Sequence, residues 1–125
     1  MTRPPLESRA DLEVLVDEFY ARVRKDELIG PVFSHVDWDK HLPKIKNFWD
    51  TVMFGADNYE GRPFPPHVPL GLRVEHFERW LQLFFATVDE KFEGPGAEEI
   101  KRRAVNMGRN FLLNLEYIRR QNSGV

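Results

Sequence analysis

Residues 55–72, GADNYEGRPFPPHVPLGL, constrain this chain more than any other stretch. Three Gly and four Pro fall within its eighteen residues, between two segments of strong helical apolar spacing. Connections longer than about 12–15 residues with no secondary structure are uncommon in compact domains and are usually functional or disordered. Tyr59, Phe64, Val68, Leu70 and Leu72 make this one too aromatic and apolar for a disordered linker. Near its middle stands one imidazole, His67, with Pro66 before it and Val68-Pro69 after it. A stiff apolar connection of this kind is expected to hold something against the rest of the fold. On spacing alone, a hydrated loop histidine remains the commoner reading of His67.

Everything on either side of that stretch reads as helix. Ser8 followed by Asp11 has the form of a capping box. Leu12, Leu15, Val16, Phe19, Tyr20 and Val23 follow at helical spacing, giving an amphipathic helix of about four turns. Tyr20 lies on its apolar stripe, so the phenol faces the interior and needs a partner there. Gly30-Pro31, with Leu28, Ile29, Val32 and Phe33, reads as a buried corner.

Asp37 is placed to cap a second helix ending near Phe54, with Leu42, Ile45, Phe48, Trp49, Val52 and Met53 on one face. His41 shares that face, one turn before Ile45. Pro43 removes a donor and crowds the preceding turn, at about 3 kcal/mol in a helix interior. A kink, or a separate first turn carrying His41, is therefore expected. A third helix spans about 74–92, apolar over much of its circumference through Phe77, Trp80, Leu81, Phe84 and Val88, and so central. After Gly94-Pro95-Gly96 a fourth runs over about 97–118, with Ile100, Ala104, Met107, Phe111 and Leu115 on its stripe. Gly108 within it suggests a close approach to its backbone. No strand pattern or repeat is present, and the expectation is one all-α domain over residues 1–125.

Composition narrows the function. Ten Phe, three Trp and three Tyr in 125 residues must either fill a core or line a pocket for a flat ligand. Net charge is −2 and the basic residues are dispersed, which argues against nucleic acid or an anionic membrane surface as partner. No segment is apolar enough to span a bilayer, and MTRPPLESRADLEVL lacks the apolar run of a signal peptide. The cytoplasm is the expected compartment. With no cysteine, disulfides, thiolate metal sites and the C-x-x-C-H attachment of haem are excluded. Neither a multidentate zinc pattern, nor a phosphate-binding Gly loop, nor a nucleophile elbow occurs. A haem site asks less of a sequence: one imidazole, apolar walls, and polar groups on the ligand side.

Four pieces, FYARVRKDELIGPVF (19–33), HLPKIKNFW (41–49), Tyr59-x-Gly61-x-Pro63 leading to His67, and HFERWLQLF (76–84), together resemble the truncated haemoglobins. The resemblance is nearest to the third of their three groups and covers residues 12–115 in the same order. It implies a two-over-two helical sandwich holding one haem b, retained without covalent attachment. His67 then matches the iron ligand, and Tyr20, His41 and Trp80 match the three distal polar positions. Ile45 matches the apolar wall beside them, and Lys44 falls where the family can place a propionate partner. Phe33, Phe77, Phe84, Met107 and Phe111 are the remaining candidates for haem contact. The Gly-Gly hinges of the other groups are absent here.

The expected ligands are O2, NO and CO, with an electron-donating reductase as a further partner. A bound diatomic ligand that gains negative charge is stabilised by donors, and such bonds contribute about 1.5–3 kcal/mol each. Two of them slow release a hundredfold or more, since about 1.4 kcal/mol is tenfold. That suits nitric oxide dioxygenation or peroxidase-like chemistry better than oxygen transport. The alternative is a cofactor-free helical adaptor whose aromatic stripes form a core and a protein-binding groove. A haem-based sensor would need an output partner that the sequence does not name.

Overall fold

The computed structural model describes residues 2–34, 36–56 and 73–123, with the side chains of Phe111 and of 114–123 outside the description. His35 and most of the Gly/Pro stretch, including His67, also lie outside the described residues.

Helix α1, Arg9–Lys25, begins at the expected box. The Ser8 Oγ accepts from the Asp11 N–H at 3.4 Å, and the Asp11 carboxylate accepts from the Ser8 and Glu7 N–H groups at 3.0 and 2.9 Å. Three donors at the helix start are thereby satisfied by one pair of side chains, and the acid sits at the positive end of the helix dipole. The six residues of its apolar stripe are all buried, as the spacing requires. At the other end, the Asp26 carboxylate accepts from the Leu28 and Ile29 N–H groups at 2.9 and 3.1 Å and from Arg79 at 3.1 Å.

The predicted corner is a short 3-10 turn, Gly30–Phe33. Here the chain doubles back onto the end of α1 so closely that a Cβ on Gly30 would lie 2.9 Å from the Arg24 carbonyl oxygen. Only glycine fits that approach.

Helix α2, Trp38–Phe54, corrects one expectation. It runs unbroken through Pro43, with the His41 N–H bonded to the Asp37 carbonyl at 2.9 Å, so His41 does not sit on a separate turn. Pro43 is the sixth residue of the helix, and the bond it forfeits is the one to the Asp39 carbonyl. Asp37 occupies the cap position, but its side chain makes no capping bond. The helix ends on Gly55 at φ +71°, with Gly55 N–H to Thr51 at 3.0 Å and Ala56 N–H to Asp50 at 3.4 Å. The Gly55 bond to Thr51 is that of an αL cap.

Helix α3, Val74–Lys91, matches its predicted bounds. Helix α4, Pro95–Ser123, starts two residues earlier than expected, because Pro95 takes the first helical position after Gly94 at φ +97°. The N-terminal segment straps this junction. Leu6 is buried, the Glu93 N–H bonds the Pro4 carbonyl at 3.1 Å, and a Cβ on Gly96 would run into the Leu6 carbonyl oxygen. Gly108 proves different from its expectation. Among the described residues, a Cβ there meets Phe77 and Leu81 at 3.8 and 3.9 Å, ordinary contact rather than close approach.

Helix α1 packs against both α2 and α3, and α3 packs against α4. Charged pairs tie α1 to its neighbours. Arg9 donates to Asn47 and Asp50 of α2 at 2.8 and 3.2 Å, and Lys46 meets Asp17 at 2.8 Å. Toward α3, Arg22 donates to Thr87 at 3.3 Å and also pairs with Glu90. Thr87 is fully buried and donates in turn to the Leu83 carbonyl at 2.7 Å, so its hydroxyl is satisfied on both sides. Much of the aromatic content goes into the seam between these helices. Phe84 stacks between Trp80 (5.2 Å, 8°) and Trp49 (5.4 Å, 22°), with the Phe19 ring edge-on at 5.0 Å.

Candidate functional site

Tyr20 is one residue beyond Phe19 on α1, and the 100° step turns it from the aromatic seam toward the start of α2. Its ring packs against Phe19 at 4.7 Å and Trp38 at 5.2 Å, and the Trp80 indole lies beside its hydroxyl. An indole N–H can only donate. Toward it the Tyr20 oxygen can therefore only accept, and the phenol keeps its own proton for a third group. Burial pushes the Tyr20 hydroxyl up to about 12, a rise that the Trp80 indole partly offsets. The phenol is thus a neutral donor throughout the physiological range.

Tyr20 and Trp80, two of the three polar residues expected together, are brought into contact from α1 and α3. His41 joins them through an intermediary. Its ring lies 5.8 Å from Trp38, and Trp38 also meets Phe33 at 6.1 Å. Phe33 is buried, while His41 and Ile45 are half-buried on α2. Lys44 is exposed. Phe77 and Met107 are half-buried on α3 and α4. Phe84 has no exposed surface at all and sits in the core, one turn below Trp80. His67 and the Phe111 side chain lie outside the described residues.

Sequence reasoning missed Trp38. Its signal was available, since it stands three residues before His41 and hence on the same face of α2. It also missed the Asp26–Arg79 pair, which pins the residue preceding Trp80 to the end of α1. Burial works against the Asp26 carboxylate, but the Ile29 and Leu28 N–H groups and the Arg79 charge outweigh it and hold the acid below its usual range. Among the described residues, no group of three or more His, Asp or Glu side chains could hold a metal ion. What the described region offers is a neutral phenol donor, an indole that orients it, and aromatic walls.

The family model for bacterial-like globins matches residues 6–113. The chain is 33% identical over 104 residues to a group 3 truncated haemoglobin of Campylobacter jejuni, covering 78% of this chain and 82% of that protein. The crystal structure of a group III truncated haemoglobin from the same organism superposes with a TM-score of 0.84 at 30% identity, over 91% of this chain and 95% of that one. A 2/2 haemoglobin of Synechococcus, its structure described as having covalently attached haem, superposes with a TM-score of 0.76 at 25% identity, over 87% and 94% of the two chains. Helix order, the absence of strands among the described residues and the match across nearly the whole chain agree: this protein belongs to the bacterial-like globin family, as a truncated haemoglobin of the third group.

Proposed function

We propose that this haem protein holds its diatomic ligand tightly, with Tyr20 as the donor that retains it and Trp80 orienting the phenol, and that it serves nitric oxide or reactive-oxygen chemistry rather than oxygen transport. Truncated haemoglobins bind haem, and the group supplies an iron with an open position for O2, NO or CO. The observation that carries the proposal is the buried Tyr20 phenol, enclosed by Phe19 and Trp38 with the Trp80 indole beside its hydroxyl. A phenol and an indole side by side fit the ligand side of such a pocket, because both are neutral and both present donors without a charge that burial would penalise.

In this reading Trp80 fixes the phenol and Tyr20 donates to the ligand. His41, half-buried at the same wall, gives a second, weaker contact. Ile45, Phe33, Phe77 and Met107 supply apolar contact, and exposed Lys44 is free to meet a propionate at the solvent edge. His67 is the proposed iron ligand, on the resemblance alone. Phe84 supports Trp80 from the core instead of touching the haem. Non-covalent retention is part of the proposal, and acidified organic solvent is expected to extract all of the haem. Haem left on the denatured chain would show a covalent link like that described for the Synechococcus relative.

Tyr20→Phe tests the carrying observation. Losing a donor to a partly charged ligand, at about 1.5–3 kcal/mol, raises the oxygen dissociation rate by roughly ten- to a hundredfold or more in stopped flow. His41→Leu is expected to raise it less, because His41 is less enclosed than Tyr20. The opposite ranking would contradict the assignment of Tyr20 as the principal donor.

A further inference from the structure

We propose that Trp38, held by Arg24, is the positioning residue that closes the distal site: it keeps water off Tyr20 and sets the access of the diatomic ligand. This rests on the functional reading above, but the geometry that points to it is independent of haem. Arg24 follows Tyr20 by four residues on α1, and Trp38 precedes His41 by three on α2, so each pair shares one helix face. The indole enters from the first residue of α2 and lies across the gap between those two faces. Its ring is 5.2 Å from Tyr20 on the inside and 5.8 Å from His41 beside it. On the outside, the Arg24 guanidinium carbon stands 5.5 Å from the ring centroid.

The sequence of exposure follows the same line. Tyr20 is 9% exposed, Trp38 half-buried and Arg24 exposed. An indole in this position is the last apolar layer between the phenol and solvent. A cation on its outer face holds it there through attraction to the ring, while the arginine stem covers further apolar surface. Tyr20 depends on that layer: burial is the main cause that keeps its hydroxyl protonated and poorly hydrated.

The test uses the full-length holoprotein, as wild type and as Trp38→Ala, Trp38→Phe and Arg24→Ala, with two readouts. The first is carbon monoxide recombination after flash photolysis. Trp38→Ala is expected to raise the bimolecular association rate by about tenfold, Arg24→Ala by about threefold, and Trp38→Phe hardly at all. The second is the titration of Tyr20, followed by the 13Cζ resonance of labelled tyrosine and assigned by its loss in Tyr20→Phe. In Trp38→Ala its midpoint falls toward that of a free phenol, and Trp38→Phe restores it. A merely structural role would not move this titration selectively.

Trp38→Phe keeps a ring in place, so a failure of the alanine variant to fold leaves Arg24→Ala and Trp38→Phe to decide the matter by their opposite expected effects. Unchanged association rates together with an unchanged Tyr20 titration in folded variants would overturn the inference while leaving the haem reading intact. A protein that took up no haem would overturn the functional reading instead, and the Tyr20 titration alone would then decide the role of Trp38.

Discussion

Trp80 and Phe84 stand one turn apart on α3 and stack face to face, yet they belong to different regimes. Phe84 is enclosed by Trp49, Trp80 and Phe19 and contributes apolar surface alone. Trp80 is half-buried and sets its indole beside the Tyr20 hydroxyl. The same division separates Phe19 from Tyr20 on α1. One aromatic stripe thus serves as core along one side and as a site along the other, and the boundary is set by which rings have a polar atom with a partner. The wealth of aromatics in the sequence is not itself a haem signal. We propose that its functional part is the Tyr20–Trp80–Trp38 corner.

The comparison breaks most visibly at Phe84. Phe84→Ala removes the shared partner of three rings and is expected to lower unfolding stability by about 3–5 kcal/mol in urea denaturation. A loss no greater than that of an exposed-site control would show that the seam is not the core. Tyr20 gives the next largest effect, and it depends on pH. Its folded value of about 12 exceeds the ordinary 10.0, so between those two values the native state retains a proton that the unfolded chain has lost. The stabilisation is complete below about pH 10 and is lost as pH rises toward 12, amounting to about 2–3 kcal/mol. Tyr20→Phe abolishes that part of the alkaline loss, which comparison of the two unfolding curves across this window checks. The smallest effect is at Gly108. A Cβ there has ordinary contacts at 3.8 and 3.9 Å, so Gly108→Ala is expected to raise stability by about 0.5–1 kcal/mol through helix propensity. A decrease would show that Phe77 and Leu81 cannot give way.

The helices were legible because each local signal agreed with its neighbours. Ser8 with Asp11 and the Leu12-to-Val23 stripe predict α1, and the stripe from Leu42 to Met53 runs to the residue before Phe54, the last of α2. The discrepancies arose where one residue was weighed alone. Pro43 suggests a kink or a separate first turn; the separate turn does not occur, because the proline removes a single donor in a helix of 17 residues whose other bonds and packing carry it. Gly94-Pro95-Gly96 reads as a spacer before the fourth helix, although a proline lacks only a donor that the first helical position leaves unpaired anyway, and Pro95 takes that position. At the site, the need of Tyr20 for a partner was readable from its place on the stripe. That Trp80 meets that need depends on how α1 crosses α3, and the contact of Trp38 with Tyr20 depends on how α1 crosses α2. Those are properties of packing between distant segments, which no local spacing encodes. Asp26 and Arg79 were invisible for the same reason, 53 residues apart.

The proposal that carries most weight is His67 as the iron ligand, with Tyr20 acting on the bound diatomic ligand. The most direct test is the Soret absorbance per chain of the purified protein and of His67→Ala after reconstitution with haemin. The account predicts one haem per wild-type chain, with a band that shifts on reduction and on carbon monoxide binding, and no stable haem in the variant. A colourless wild-type protein, as expected of a helical adaptor, would contradict the account, as would a His67→Ala protein with unchanged haem content and spectrum.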